Sequence, residues 1–77
     1  GTAEIYRHLE TIPEILESVV VGFVNKEKDV DVILFVVLKN GITLTDDFKT
    51  LINTTIRKGA SPRHVPKMIF QVKDTPK

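Results

Sequence analysis

The chain contains no cysteine and no tryptophan, only four glycines and four prolines, and no apolar run longer than the seven residues 32–38. Without cysteine there is no disulfide framework, no thiolate nucleophile and no zinc-thiolate site, so an ordinary apolar core must hold the fold. At 77 residues that core belongs to one small domain, and a two-domain enzyme is excluded. The run at 32–38 is too short to span a bilayer, and the N-terminus lacks the basic-then-apolar pattern of a signal peptide. A cytoplasmic location without membrane attachment is therefore expected. Glycine occurs only at positions 1, 22, 41 and 59, which leaves neither a P-loop nor a Gly-x-Gly-x-x-Gly turn to cradle phosphates.

What is present is patterned. Residues 1–56 carry five Lys/Arg against nine Asp/Glu, whereas 57–77 carry six against one, so an anion is directed to the C-terminal third. Ile5, Leu9 and Ile12 recur on one helical face, Thr2 can cap that helix, and Pro13 stops it, which predicts a helix over 2–12. A short turn is expected over 14–17. The stretches 18–24 and 31–39 are dominated by Val, Ile, Leu and Phe, with β-branched residues in the majority, and read as strands. Both are apolar at successive positions, so both faces of each should be covered, by helices or by something outside the chain. The polar segment 25–29 between them has hairpin length and favours antiparallel pairing. Gly22 predicts a bulge or a close backbone approach.

Asn40-Gly41 suits a tight turn after the second strand. Thr45-Asp46-Asp47 is a helix start, Phe48, Leu51, Ile52 and Ile56 follow at helical spacing, and Arg57-Lys58-Gly59 closes a helix over 46–58. A loop with two prolines then leads to a third strand over 67–73. The fold class is α+β, in the order α-β-β-α-β, with strand order left open.

Candidate chemistry is sparse. His8 and His64 lie in different elements without a second ligand at metal spacing; His8 reads as a partly exposed helix residue and His64 as a packed or hydrogen-bonded one. Glu10, Glu14 and Glu17 read as a solvated face rather than paired catalytic carboxylates. Ser18 and Ser61 stand in no nucleophile-elbow context. A small RNA-binding fold shares the element order, but neither a Gly-x-x-Gly clamp nor exposed sheet aromatics are evident, and Phe23, Phe35, Phe48 and Phe70 read as core. The positive group Arg57, Lys58, Arg63 and Lys67 is either a solubilising helix end or a docking surface for phosphates.

Three stretches, Gly1-Thr2-Ala3-Glu4-Ile5-Tyr6-Arg7, Val32 to Lys39, and Ile56-Arg57-Lys58-Gly59-Ala60-Ser61-Pro62-Arg63-His64-Val65-Pro66, resemble the C-terminal domain of the adenylate-forming acyl-CoA synthetases. The resemblance covers essentially the whole chain. It implies a lid: a large N-terminal AMP-binding domain holds ATP, Mg²⁺ and a carboxylic acid, and the small domain caps it in two orientations, for acyl-adenylate formation and then for thioester formation with CoA. Residues 1–77 would be a single domain, a fragment of that lid, binding no cofactor itself. The family's catalytic Lys, in Thr-x-Ser-Gly-Lys, would fall beyond Lys77, which aligns with the basic residue ahead of that motif, and the hinge would precede Gly1. The chain alone is thus expected to be inactive. Arg63, with Arg57, Lys58 and His64, becomes the candidate surface for CoA or for the N-terminal domain. A non-catalytic accessory module reusing the same fold is the alternative.

Overall fold

The hairpin dominates the architecture. In a computed structural model that describes residues 2–74, β1 (Ile15–Val24) and β2 (Val30–Leu38) pair antiparallel from Ile15↔Leu38 to Val24↔Val30. The connecting turn is built by Asn25, whose Oδ1 accepts from the Glu27 and Asp29 amides at 2.9 and 3.0 Å, while Lys28 takes a positive φ of 66°. β3 (Met68–Gln71) pairs parallel to β2, giving the order β1-β2-β3. A parallel pair needs a crossover, which α2 (Asp46–Gly59) supplies. The helix α1 (Thr2–Leu9) precedes the hairpin, and a single 3-10 turn, Pro62–His64, links α2 to β3.

The element order is as expected, but four local expectations are corrected. α1 ends at Leu9 rather than Ile12, because Thr11 and Ile12 bond back to His8 and Leu9 with i to i−3 spacing and the Thr11 hydroxyl also takes the His8 carbonyl at 2.7 Å. The expected turn over 14–17 is turn only at Glu14 and strand from Ile15: the register shift lies between Ile15 and Glu17, and the Glu14 carbonyl accepts from Lys39 N at the end of the ladder. Gly22 is therefore not the bulge; it pairs regularly with Val32, and a side chain there would touch Val30 at 3.4 Å. The third strand is shorter than 67–73 at both ends, although Lys67 N and Val72 N still bond to Val32 O and Val36 O. The turn expected over 74–77 and Lys77 lie outside the described residues apart from Asp74.

Both helices pack on one face of the sheet. Ile5 and Leu9 of α1, Ile52 and Ile56 of α2, Leu34, Val36 and Leu38 of β2, Ile69 of β3, and Ile12 form the buried core. Alternation along each strand puts the intervening residues on the opposite face. There Val21 is 44% exposed, Phe23 39%, Met68 48% and Phe70 40%, so of the two covers expected for this face, helices or something outside the chain, the chain's own helices do not supply it. Phe35 and Phe70 stack on it with centroids 5.6 Å apart. Of the four phenylalanines read as core, only Phe48 packs against the buried cluster. A continuous apolar run does not say whether its second face is covered within the chain or from outside it, which is why Phe23, Phe35 and Phe70 read as core.

Candidate functional site

The two halves of the candidate basic surface are placed by different devices. α2 starts at Thr45, whose hydroxyl accepts from Phe48 N at 3.1 Å, with Asp46 and Asp47 at the positive end of the helix dipole. Its other end carries Arg57 and Lys58, both exposed, where the dipole favours cations. Gly59 leaves room there for the His8 imidazole, which lies against the helix end: a Cβ at this position would overlap the ring unless the ring moved. The chain then turns at Ser61 into Pro62–His64, with His64 N bonding to Ser61 O at 3.1 Å and Val65 N to Pro62 O at 3.3 Å. Pro62 at the start of this turn fixes its entry.

Within that turn Ser61 Oγ and His64 Nδ1 are 2.7 Å apart. The pair is local, three residues apart, and it orients the half-buried ring, which matches the reading of His64 as a hydrogen-bonded residue. Arg63 is exposed beside it. Arg63 and His64 line a groove of about 720 Å³ whose apolar walls are Ile5, Val30 and Val32, with Asp29 at the hairpin end. Arg57 and Lys58 do not line it. Lys67 is engaged elsewhere, 3.4 Å from Asp31 across the sheet.

The groove joins an apolar floor to a guanidinium that can fork two hydrogen bonds to a phosphate or carboxylate. A ligand with an anionic head and an apolar or amide-rich stem suits it better than a compact ion. Ile5, Asp29, Val30 and Val32 had no functional reading in the sequence, because only the packing of α1 against the hairpin end brings them to Arg63. Among the described residues no three His, Asp or Glu side chains converge to hold a metal ion, and no helix is long and apolar enough to cross a membrane. Phe23 and Phe70 do present exposed rings on the sheet, contrary to expectation, which restores one feature of RNA-binding sheets. The nearby charged positions on that face are Glu17, opposite Val37, and Asp31, held by Lys67 at 3.4 Å, which is no basic stripe for a nucleic-acid backbone.

Solved structures place this body in a class. An acyl-CoA synthetase from Brucella canis superposes on all of the chain with a TM-score of 0.87 at 26% identity, the match covering 14% of that protein. The two helices and three strands are thus a small piece of the acyl-CoA synthetase fold. Within that class the likeness is to acetoacetyl-CoA synthetases: the Streptomyces lividans enzyme is 42% identical with a TM-score of 0.84, over 96% of this chain and 11% of that one. The sequence of the Rhizobium meliloti (strain 1021) acetoacetyl-coenzyme A synthetase is 47% identical over all 77 residues, which are 12% of its length. No family model matches the chain. A whole-length match at this identity favours a piece of a synthetase over an accessory module or an RNA-binding domain.

Proposed function

We propose that the chain acts as the C-terminal lid domain of an acyl-CoA synthetase that converts acetoacetate, ATP and CoA to acetoacetyl-CoA, AMP and pyrophosphate. The observation that carries this is the match along the whole chain, in sequence and in fold, to acetoacetyl-CoA synthetases. In this reading the chain is one domain whose partner is the N-terminal AMP-binding domain, which holds ATP, Mg²⁺ and the acid in the cytoplasm. The lid's own contribution is positional: a rigid two-layer body that presents the Arg63 and His64 groove and the basic end of α2. Arg63 binds a CoA phosphate or a carboxylate of the large domain in the thioester-forming orientation, and Ser61 keeps His64 in place beside it. A lid that completes each half-site in turn excludes water from the acyl-adenylate.

The test uses the Rhizobium meliloti enzyme with its matching segment replaced by these 77 residues, and assays the two half-reactions separately. Arg63→Ala should raise the CoA Michaelis constant or slow thioester formation by roughly tenfold or more, the value of one charge-assisted bond pair, and leave adenylation unchanged. A variant that melts earlier with both half-reactions intact makes Arg63 a loop anchor and removes the assignment. The isolated chain should release no pyrophosphate from ATP and acetoacetate.

A further inference from the structure

Hydrogen-bond donors predominate around the groove beside Arg63. Arg63, His64 and the Thr2 hydroxyl can all donate, and Asp29 is the one carboxylate among the described residues that line it. The two aspartates near the hairpin turn differ in what they hold. Asp31 is taken, with Lys67 Nζ and Asn25 Nδ2 at 3.4 and 3.2 Å from its Oδ2. Asp29 is engaged through its backbone alone: its N–H donates to Asn25 Oδ1 at 3.0 Å and its carbonyl accepts from Asn25 N at 2.8 Å. The turn therefore fixes where Asp29 stands and leaves its carboxylate unused. Arg63 is exposed, and among the described residues it forms no ion pair with Asp29 or with any other carboxylate. The groove thus holds an unpaired cation and an unpaired anion on shared walls of Ile5, Val30 and Val32, in about 720 Å³, a size that suits a small organic ligand.

An unpaired carboxylate repels any polyanion lying along such a groove, so the part of a ligand that meets Asp29 must be uncharged and must bring its own donor. We infer that Asp29 is a specificity-determining residue of the Arg63 groove: its carboxylate accepts a hydrogen bond from an amide N–H or hydroxyl on the neutral stem of a thiol substrate whose phosphate Arg63 holds. This rests on the reading of the groove as a CoA site and narrows it to one part of that molecule. The pantetheine stem of CoA carries amides and a hydroxyl on an otherwise apolar chain, and so matches apolar walls with a single acceptor. A compact polyanion such as pyrophosphate is turned away, because it satisfies Arg63 only by bringing negative charge up to Asp29.

The test uses the Rhizobium meliloti enzyme carrying these 77 residues, with two probes: CoA as substrate, and phosphate-free pantetheine as a competitive inhibitor of thioester formation. Asp29→Ala should raise the CoA Michaelis constant and the pantetheine inhibition constant by the same factor, about fivefold or more, with kcat and adenylation unchanged. Asp29→Asn keeps an acceptor oxygen and should hold both constants within about twofold of the parent. Arg63→Ala should raise the CoA constant alone, since pantetheine has no phosphate to lose. Because both Asn25 bonds go to the Asp29 backbone, neither Asp29 variant opens the turn. If Arg63→Ala acts on CoA but Asp29→Ala moves neither constant, or if pantetheine does not compete at all, the stem lies elsewhere and the inference falls while the CoA reading stands. An Asp29→Asn variant as impaired as Asp29→Ala, or a CoA constant that drops in Asp29→Ala, would show that the charge acts from a distance and not as an acceptor, which also overturns it. Absence of any effect in Arg63→Ala removes the CoA reading itself, and the inference with it.

Discussion

Lys28 and Gly41 both hold positive φ, at 66° and 84°, yet they call for opposite substitutions. Lys28 has a Cβ in a region that costs an L-residue about 1 kcal/mol, so Lys28→Gly should stabilise the chain by a few tenths to about 1 kcal/mol. Gly41→Ala meets no atom within 4 Å, so its cost, also about 1 kcal/mol, is backbone strain alone. Urea melts of the two variants check the signs. Gly59 is constrained differently: its obstacle is the His8 ring rather than its own backbone. Gly59→Ala should destabilise the wild-type chain, but in a His8→Ala background it should stabilise by roughly 0.5 kcal/mol, the helix-propensity gain that the ring otherwise masks. A double-mutant cycle without that change of sign removes the claimed contact.

Elements were legible wherever a local signal had a physical mechanism. Thr45 followed by two aspartates marks the start of α2 because a hydroxyl and two carboxylates suit free amides at a helix N-terminus, and the structure begins the helix at Asp46. The polar segment Asn25 to Asp29 gave the hairpin by its length, and the structure adds the device that closes it, the Asn25 side chain bonding its own backbone. The start of β1 was hidden because its bulge at Leu16 sits in a stretch that reads as a turn, and the pairing that reveals it lies on β2. The Arg63 groove was legible only at Arg63 and His64, because its walls come from α1 and β2. Tyr6 was missed entirely; a tyrosine in a helix gives no sign that its hydroxyl will reach Val20, fourteen residues on. Tyr6→Phe isolates that bond: it should cost about 1 kcal/mol and speed exchange of the Val20 amide more than that of Val36, in the middle of the sheet. Uniform acceleration would mean that Tyr6 acts through global stability and not through the edge.

For the whole molecule, the decisive feature is that a three-stranded sheet is buried on one side. Every residue of the fully packed cluster lies on the helix-covered face or in the segment leading from α1, while Val21, Met68 and Phe70 stand on the other. A domain of this size has only several kcal/mol of stability to lose. Ile52 has 0% exposure between the helices and the sheet, so Ile52→Ala should cost about 3 kcal/mol, transfer and cavity together, and bring the isolated chain close to unfolding at ambient temperature. Met68 is as large but 48% exposed, so Met68→Gln in the isolated chain should cost under about 1 kcal/mol. The ranking should change inside a whole synthetase if the open face is covered there. Met68→Gln would then lower the melting temperature of the whole enzyme while leaving the 77-residue chain nearly unchanged, because the apolar surface it removes is buried only in the larger protein. Equal shifts in the two contexts would show that the face stays exposed to water in both.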